Sequence, residues 1–333
     1  MSAAMRADER EMLCDSLRRL LADTDPAKIP AALDDFGWTE LLASSPLEAV
    51  VALFGVQGET LTATPALNAV MAQPLLAAAG QSGYGVGEWT VLLPAPGAPY
   101  RGSRAVYGIA ASYGIAAGAP LGRCLAVWLG DTPEARDTPV LSGLDVTTDS
   151  VPVEGMDSDL GLVRFDGSVA GETLAQGDVV AAAWEAAVAA GRVALACELA
   201  GVSRAMLALG VEHGRERRQF GQPIGRFQAV KHRLAEAKVA LTAAEAAIDE
   251  ATAEPGPLTA LLAKLWAGRA ARMTAKQVQQ VLGGLGFTWE HPFHRHLRRA
   301  LALDGLLGSA AELQHDLGRT LLATGEVPQL ARL

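Results

Sequence analysis

Two stretches with one periodicity set the frame. Leu195, Leu199, Val202, Met206 and Leu209 recur at steps of four and three residues. Phe227, Val230, Leu234, Ala237 and Leu241 do the same in alternate phase. Such steps place apolar side chains on one face of a 3.6-residue helix. Lys231, Arg233, Glu236 and Lys238 fall off the second stripe. A lone helix cannot bury such a face, so the chain must pack helix on helix. "EPGP" (254–257) marks a loop, a third helix is expected to end at Gly283-Gly284, and a fourth helical stretch to cover roughly 292–324. Four long helices with short connections predict an antiparallel bundle.

The rest of the chain has a different texture. Residues 5–80 read as helices: "DEREMLCDSLRRLL" sets Met12, Leu17, Leu20 and Leu21 towards one side, Pro26 and Pro30 break it, and "PALNAVMAQPLLAAAG" follows, closed by Gly80. From Trp89 to about Ala175 come short runs, "WTVLLPAP", "RCLAVWLG" and "GLVRFDGS", separated by Gly, Pro and Asp, which predict a small antiparallel β-domain. The expected fold class is α+β, mainly α. An N-terminal helical domain (1–85) and a reduced middle β-domain (86–177) precede a C-terminal helical bundle (178–333). Aromatics make up only 5% of the residues, which suits close helix packing better than an aromatic-filled sandwich.

Charge and cysteine usage narrow the function classes. The net charge of −9 argues against nucleic acid, which demands a basic footprint. No apolar run reads as a membrane span, and the first residues lack a signal peptide's layout. Cys14, Cys124 and Cys197 have no metal spacing, and a cytoplasmic setting is expected. His291, His294 and His296 lie close together but lack the acids or cysteines of a recognised metal site. "GYGVGEW" (83–89) precedes no strand–helix unit that would make it a dinucleotide fingerprint. No nucleophile-elbow motif supports serine–histidine chemistry.

The informative stretch is "RRQFGQPIGRFQ" (217–228), which interrupts the two stripes. Arg217 and Arg218 offer forked donors to a phosphate. Gly221, Pro223 and Gly225 permit sharp turning and close approach to a ligand. A helix restarting near Arg226 adds free backbone N–H groups. On residue types alone the stretch is either an anion site or a plain charged connection between helices.

"RRQFGQPIGRFQAVKHRLAEA" and, further on, "QVLGGLGFTWEHPFHRHLRRA" (280–300) resemble the two signatures of the acyl-CoA dehydrogenase family, in the family's order. Leu297 stands where that family has Tyr before Arg298. "DDFGWTELL" (34–42) and "LDVTTDSVPVEG" resemble further family segments, and the helix–β–helix layout agrees. The resemblance implies FAD held between subunits. By motif it implies flavin contact by Arg217 and Gln228, with Gln219 and Phe220 beside them, and by Gln280, Gly283 and Gly284. It also implies an acyl-CoA thioester as substrate and an electron-transfer flavoprotein as acceptor.

The family's reaction needs a carboxylate to take the α-proton. By the resemblance, counting on from Gln280 puts Leu307 at the usual base position, and counting back from Arg217 puts Gly191 at the alternative one on an earlier helix. Asp304, Glu312 and Glu290 are the nearby acids that a displaced base would draw on. Otherwise Asp304 and Glu312 are solvated and Glu290 is a turn residue. "GIAASYGIAAGAPLGRC" lacks the family's flavin-covering segments, leaving only Ser112 and Tyr113 as polar candidates. Elements that reach into a neighbour's flavin site are kept, while those that build this chain's own are lost. Some actinobacterial acyl-CoA dehydrogenases are similar, pairing two unlike homologous subunits as an α2β2 heterotetramer, often for steroid side-chain thioesters. The expectation is a base-lacking subunit of such a complex, with most substrate binding done by the partner. The alternatives are a self-sufficient enzyme with a displaced acid and a flavin-free structural or regulatory relative.

Overall fold

The computed structural model describes residues 6–81, 85–94, 105–111, 122–129, 138–146, 151–152, 157–168 and 171–325. Five helices come first: α1 (Ala7–Asp23), α2 (Ile29–Asp35), α3 (Trp38–Ser44), α4 (Pro46–Thr60) and α5 (Ala66–Ala78). Leu17 and Leu21 of α1 are buried, but Met12 is 61% exposed, so the expected stripe is narrower than the sequence suggested. Trp38 is buried and donates to the Ala49 carbonyl at 3.2 Å, pinning α3 to α4.

Among the described residues eight strands follow: β1 (Thr90–Val91), β2 (Leu93–Pro94), β3 (Ala105–Ala111), β4 (Gly122–Leu129), β5 (Pro139–Val146), β6 (Val151–Pro152), β7 (Leu162–Ser168) and β8 (Glu172–Gln176). They form two four-stranded sheets, ordered β1-β4-β5-β8 and β2-β3-β7-β6. The pairings are antiparallel except β1 with β4, which is parallel, so the middle region is not wholly antiparallel as expected. Leu92, Cys124, Ala126, Trp128, Val140, Leu144 and Val163 form its own small core. The Trp128 indole is satisfied by Ser142 at 3.0 Å.

The second helical set is α6 (Asp178–Glu216), α7 (Gln228–Ala253), α8 (Pro257–Leu282), α9 (Phe293–Gly305) and α10 (Ala310–Thr324), with a short hairpin, β9 (Arg218–Gln219) and β10 (Gln222–Pro223), between α6 and α7. The single helix expected over 292–324 is thus two, broken at Leu306–Ser309, where Leu307 and Gly308 both have positive φ. α6 has 39 residues and, by length and composition alone, is apolar enough to cross a membrane. Half of its most apolar window is buried inside the protein, as befits a core helix.

α6 packs against α4 and α5 as well as α7, α8 and α9, so one hydrophobic core runs from Leu17 and Phe54 through Met71, Leu199 and Val278 to Leu303. The crossing with α4 depends on glycines. A Cβ on Gly58 would strike the Glu198 carbonyl, and one on Gly201 the Gly55 carbonyl, both backbone atoms that cannot swing aside.

Candidate functional site

The interrupting stretch folds as a two-residue hairpin at the end of α6. Gln219 pairs with Gln222, and the central residues Phe220 (φ 52°) and Gly221 (φ 77°) both lie left of the usual region. A turn of this hand matches strand twist, but a bulky residue adopts it only at a cost. Phe220 is nonetheless 92% exposed, with an edge-on contact to the Phe227 ring at 6.0 Å, so packing within this chain repays little of its strain. The hairpin is held by Ile224 N–H donating to the Arg217 carbonyl at 2.8 Å. Gly225 serves the fold: a Cβ there would lie 2.8 Å from the Gly214 carbonyl, so the close approach it permits is to α6.

Arg217, Gln219 and Gln228 are exposed, and among the described residues their side chains have no hydrogen-bond partner. α8 finishes at the same end of the molecule. Burial lowers the pKa of both His213 near the end of α6 and His291 after the Gly-Gly turn, and His213 lowers His291 further, which marks them as neighbours. Gly283 has φ 60° and ψ −134°, a region open to glycine alone. Beyond Gly283 and Gly284 nothing lies within 4 Å of where a Cβ would stand.

A groove of about 360 Å³ opens beside this turn, lined by Arg272, Lys276, Gln279, Gln280, Gly283 and Phe287, with Leu297 and Leu301 on the α9 side. It joins two cations, two amides and an exposed aromatic ring, a donor set suited to phosphate and a flat heterocycle. Arg217, Gln219, Phe220 and Gln228 stand on the neighbouring turn, outside that lining. The glycine cradle, open above its backbone, and the uncommitted Arg217 and glutamines fit one end of a dinucleotide such as FAD.

The two base positions meet in space. Leu307 is 3% exposed, and its Cδ1 would lie 2.6 Å from a Cβ on Gly191. Met71 Sδ closes the same spot at 2.9 Å. The turn carrying Leu307 is pinned by Arg192 Nε to the Leu307 carbonyl (3.1 Å) and by Lys264 Nζ to the Asp304 and Gly308 carbonyls (3.1 and 3.3 Å).

The nearby acids are committed elsewhere or lie in solvent. Asp304 is buried rather than solvated: its carboxylate accepts from Arg272 at 2.5 and 3.0 Å and from Ala310 N–H at 3.1 Å, in space left by Gly268. Glu312 accepts from Ser309 N–H at 2.8 Å in a capping box that starts α10. Glu290 is exposed in the turn before α9. Among the three histidines, His296 is buried and faces the Pro292 carbonyl, whereas His294 stacks edge-on against Trp289. Ser112 and Tyr113 lie outside the described residues.

Sequence reasoning passed over a buried polar knot. Arg299, fully buried, donates to Glu198 (3.1 Å), Asp157, and the Leu61 and Thr62 carbonyls (3.2 and 3.4 Å). Gln57 donates to Glu198 at 3.4 Å and accepts from Thr64. Arg299 thereby ties α9, α6, the end of α4 and the Asp157 turn together. Burial raises Glu198 to about 7, against the opposing pull of Arg299. Burial also pushes Lys264 down to about 8. Each is an isolated charge in an apolar run ("ALACELAGV", "ALLAKLWAG"), a pattern that marks a paired buried group.

Helices flank a small β-region on both sides along the chain, and a groove opens at the end of the helical bundle. Residues 181–322 match the family model described as "Acyl-CoA dehydrogenase, C-terminal domain". Over those residues the chain is similar to the C-terminal domain of the acyl-CoA dehydrogenase family. Over 125 residues it is 40% identical to "Acyl-CoA dehydrogenase IpdE2" of Mycobacterium tuberculosis (strain ATCC 25618 / H37Rv), a stretch covering 38% of this chain and only 39% of that protein. Two solved structures share the whole fold. One is a variant of the "Tcur3481-Tcur3483 steroid ACAD" (TM-score 0.71, 22% identity, 96% of this chain and 98% of that one). The other is the "ChsE4-ChsE5 complex from Mycobacterium tuberculosis" (TM-score 0.69, 21% identity, 98% of this chain and 100% of that one). At these identities they show the fold alone.

Proposed function

We propose that this chain is a subunit of a heteromeric, FAD-dependent acyl-CoA dehydrogenase that lacks its own base and completes the flavin site of a homologous partner. The observation that carries the reading is Leu307 packed on Gly191: both positions from which a carboxylate would reach an α-proton are apolar and in contact. The exposed Arg217, Gln219, Phe220, Gln228 and Gln280 and the open Gly283-Gly284 turn support it from the other side. In this reading Arg217 neutralises pyrophosphate, the glutamine amides bond adenine or ribose, and the glycines admit the cofactor against backbone. FAD, when bound, supplies the acceptor for the hydrogen that leaves the β-carbon. The partner supplies the base and most of the thioester pocket. The two solved relatives named above carry paired designations and one is called a steroid enzyme, which favours an unlike partner and a steroid side-chain thioester. An α2β2 assembly, an electron-transfer flavoprotein as acceptor and a cytoplasmic setting complete the proposal. The free thiols of Cys14 and Cys197 suit that compartment.

The test is expression of the chain alone and with a longer relative that keeps the base segment, followed by flavin absorbance and dye-linked dehydrogenase activity. Flavin and activity are expected only together. Activity from the chain alone refutes the proposal. So does Arg217→Ala if it leaves the flavin content of the complex unchanged.

A further inference from the structure

The spot where Leu307 meets Gly191 is closed more firmly than the loss of a base requires. A leucine at φ 54° is strained, and an ordinary surface turn would relax it or place glycine there. Here the strain is locked in. Arg192, 115 residues earlier in the chain, holds the Leu307 carbonyl, and Lys264, with no exposed surface, holds the carbonyls on either side of it. Asp304 binds the Ala310 N–H and so fixes where α10 begins. The leucine side chain is thereby driven onto the bare backbone of Gly191 and against Met71. Any side chain at 191 would collide with it, so one residue fills a space that two positions flank.

We infer that Leu307 is a plug held shut by this turn: it fills the space in which a base and an acyl thioester would meet in this chain, and leaves thioester binding to the partner. The inference rests on the functional reading above, because that reading identifies the filled space.

Two measurements test it. S-alkyl-CoA thioethers of graded chain length lack the carbonyl that acidifies the α-proton, so they bind without reacting. Calorimetric titration of the purified complex is expected to give one thioether per pair of unlike chains, and two per pair overturns the plug. In the chain alone, Leu307→Cys in a Cys14→Ser background places a reporter thiol in the plug. Its alkylation is expected to be about a hundredfold or more slower than in denaturant, because reaction waits on local opening. Labelling as fast as in denaturant overturns the plug. A complex that holds no flavin overturns the functional reading instead, and the thiol measurement still decides whether the space is closed. Leu307→Ala checks the packing directly, with an expected fall in melting midpoint of about 5 °C or more.

Discussion

Replacing Glu198 by glutamine tests which force governs the buried knot. Arg299 faces two carboxylates, those of Glu198 and Asp157, with Gln57, Thr64 and two backbone carbonyls among the polar groups around them. Burial raises Glu198 from 4.5 to about 7, more than Arg299 lowers it. The folded protein therefore holds this proton more tightly than the unfolded chain does. The associated stability is fully present below pH 4.5 and is lost as pH rises through 7. A shift of about 2.5 units at about 1.4 kcal/mol each amounts to about 3 kcal/mol. For a chain of this size, at about 2 cal/mol/K per residue, that is roughly 4 °C in melting midpoint. Glu198→Gln keeps the shape and fixes the group neutral, while turning one acceptor into a donor beside Gln57, at a pH-independent cost of about 1 kcal/mol. Thermal melts of both proteins from pH 4.5 to 8 at constant salt give the difference, which removes the shared titration of the histidines. The variant is expected to be the less stable at pH 4.5 and the more stable at pH 8. A constant difference across the range would mean that Arg299 keeps Glu198 ionised throughout, and the ranking of burial over charge would be wrong.

Lys264 gives the mirror case: its pKa falls from 10.5 to about 8, so stability should rise by about 3 kcal/mol between those limits, and Lys264→Met should abolish the rise in denaturant titrations. Gly201→Ala should lower the melting midpoint by several degrees, since its methyl would strike the Gly55 carbonyl and lie 3.1 Å from the Glu59 nitrogen, an overpacking cost of about 1–3 kcal/mol. Phe220→Ala should leave the stability of the isolated chain unchanged within about 0.5 kcal/mol, yet weaken association with the partner in a sedimentation assay.

The long helices were legible because their faces repeat every three to four residues, and Leu195 to Leu209 line the buried side of α6 with only Leu209 partly exposed. The break before α10 was less so. Leu306 and Leu307 continue an apolar pattern, and the signals were Gly308 and then Ser309 three residues before Glu312, the mark of a capping box. Asp304 looked solvated because acids usually are. Its burial depends on Gly268 in another helix and on Arg272, 32 residues away. The Arg299–Glu198 pair joins residues 101 positions apart, a match that local patterns do not encode. The glycines and glutamines of the flavin signatures were visible as residues. That Gln280 and Gly283 share a groove while Arg217 stands on the next turn needed the fold.

The crossing of α4 and α6 has a consequence for how the chain is made. Gln57 and Glu198 meet although they stand 141 positions apart, and the whole β-region is synthesised between them. α4 and α5 thus leave the ribosome with the faces that meet α6 bare, and those faces find no permanent cover until α6 emerges. Contacts of such separation form late and slowly. The first helices are the segment most exposed to aggregation during synthesis, and a chain interrupted within the β-region would release them without the helix that covers those faces.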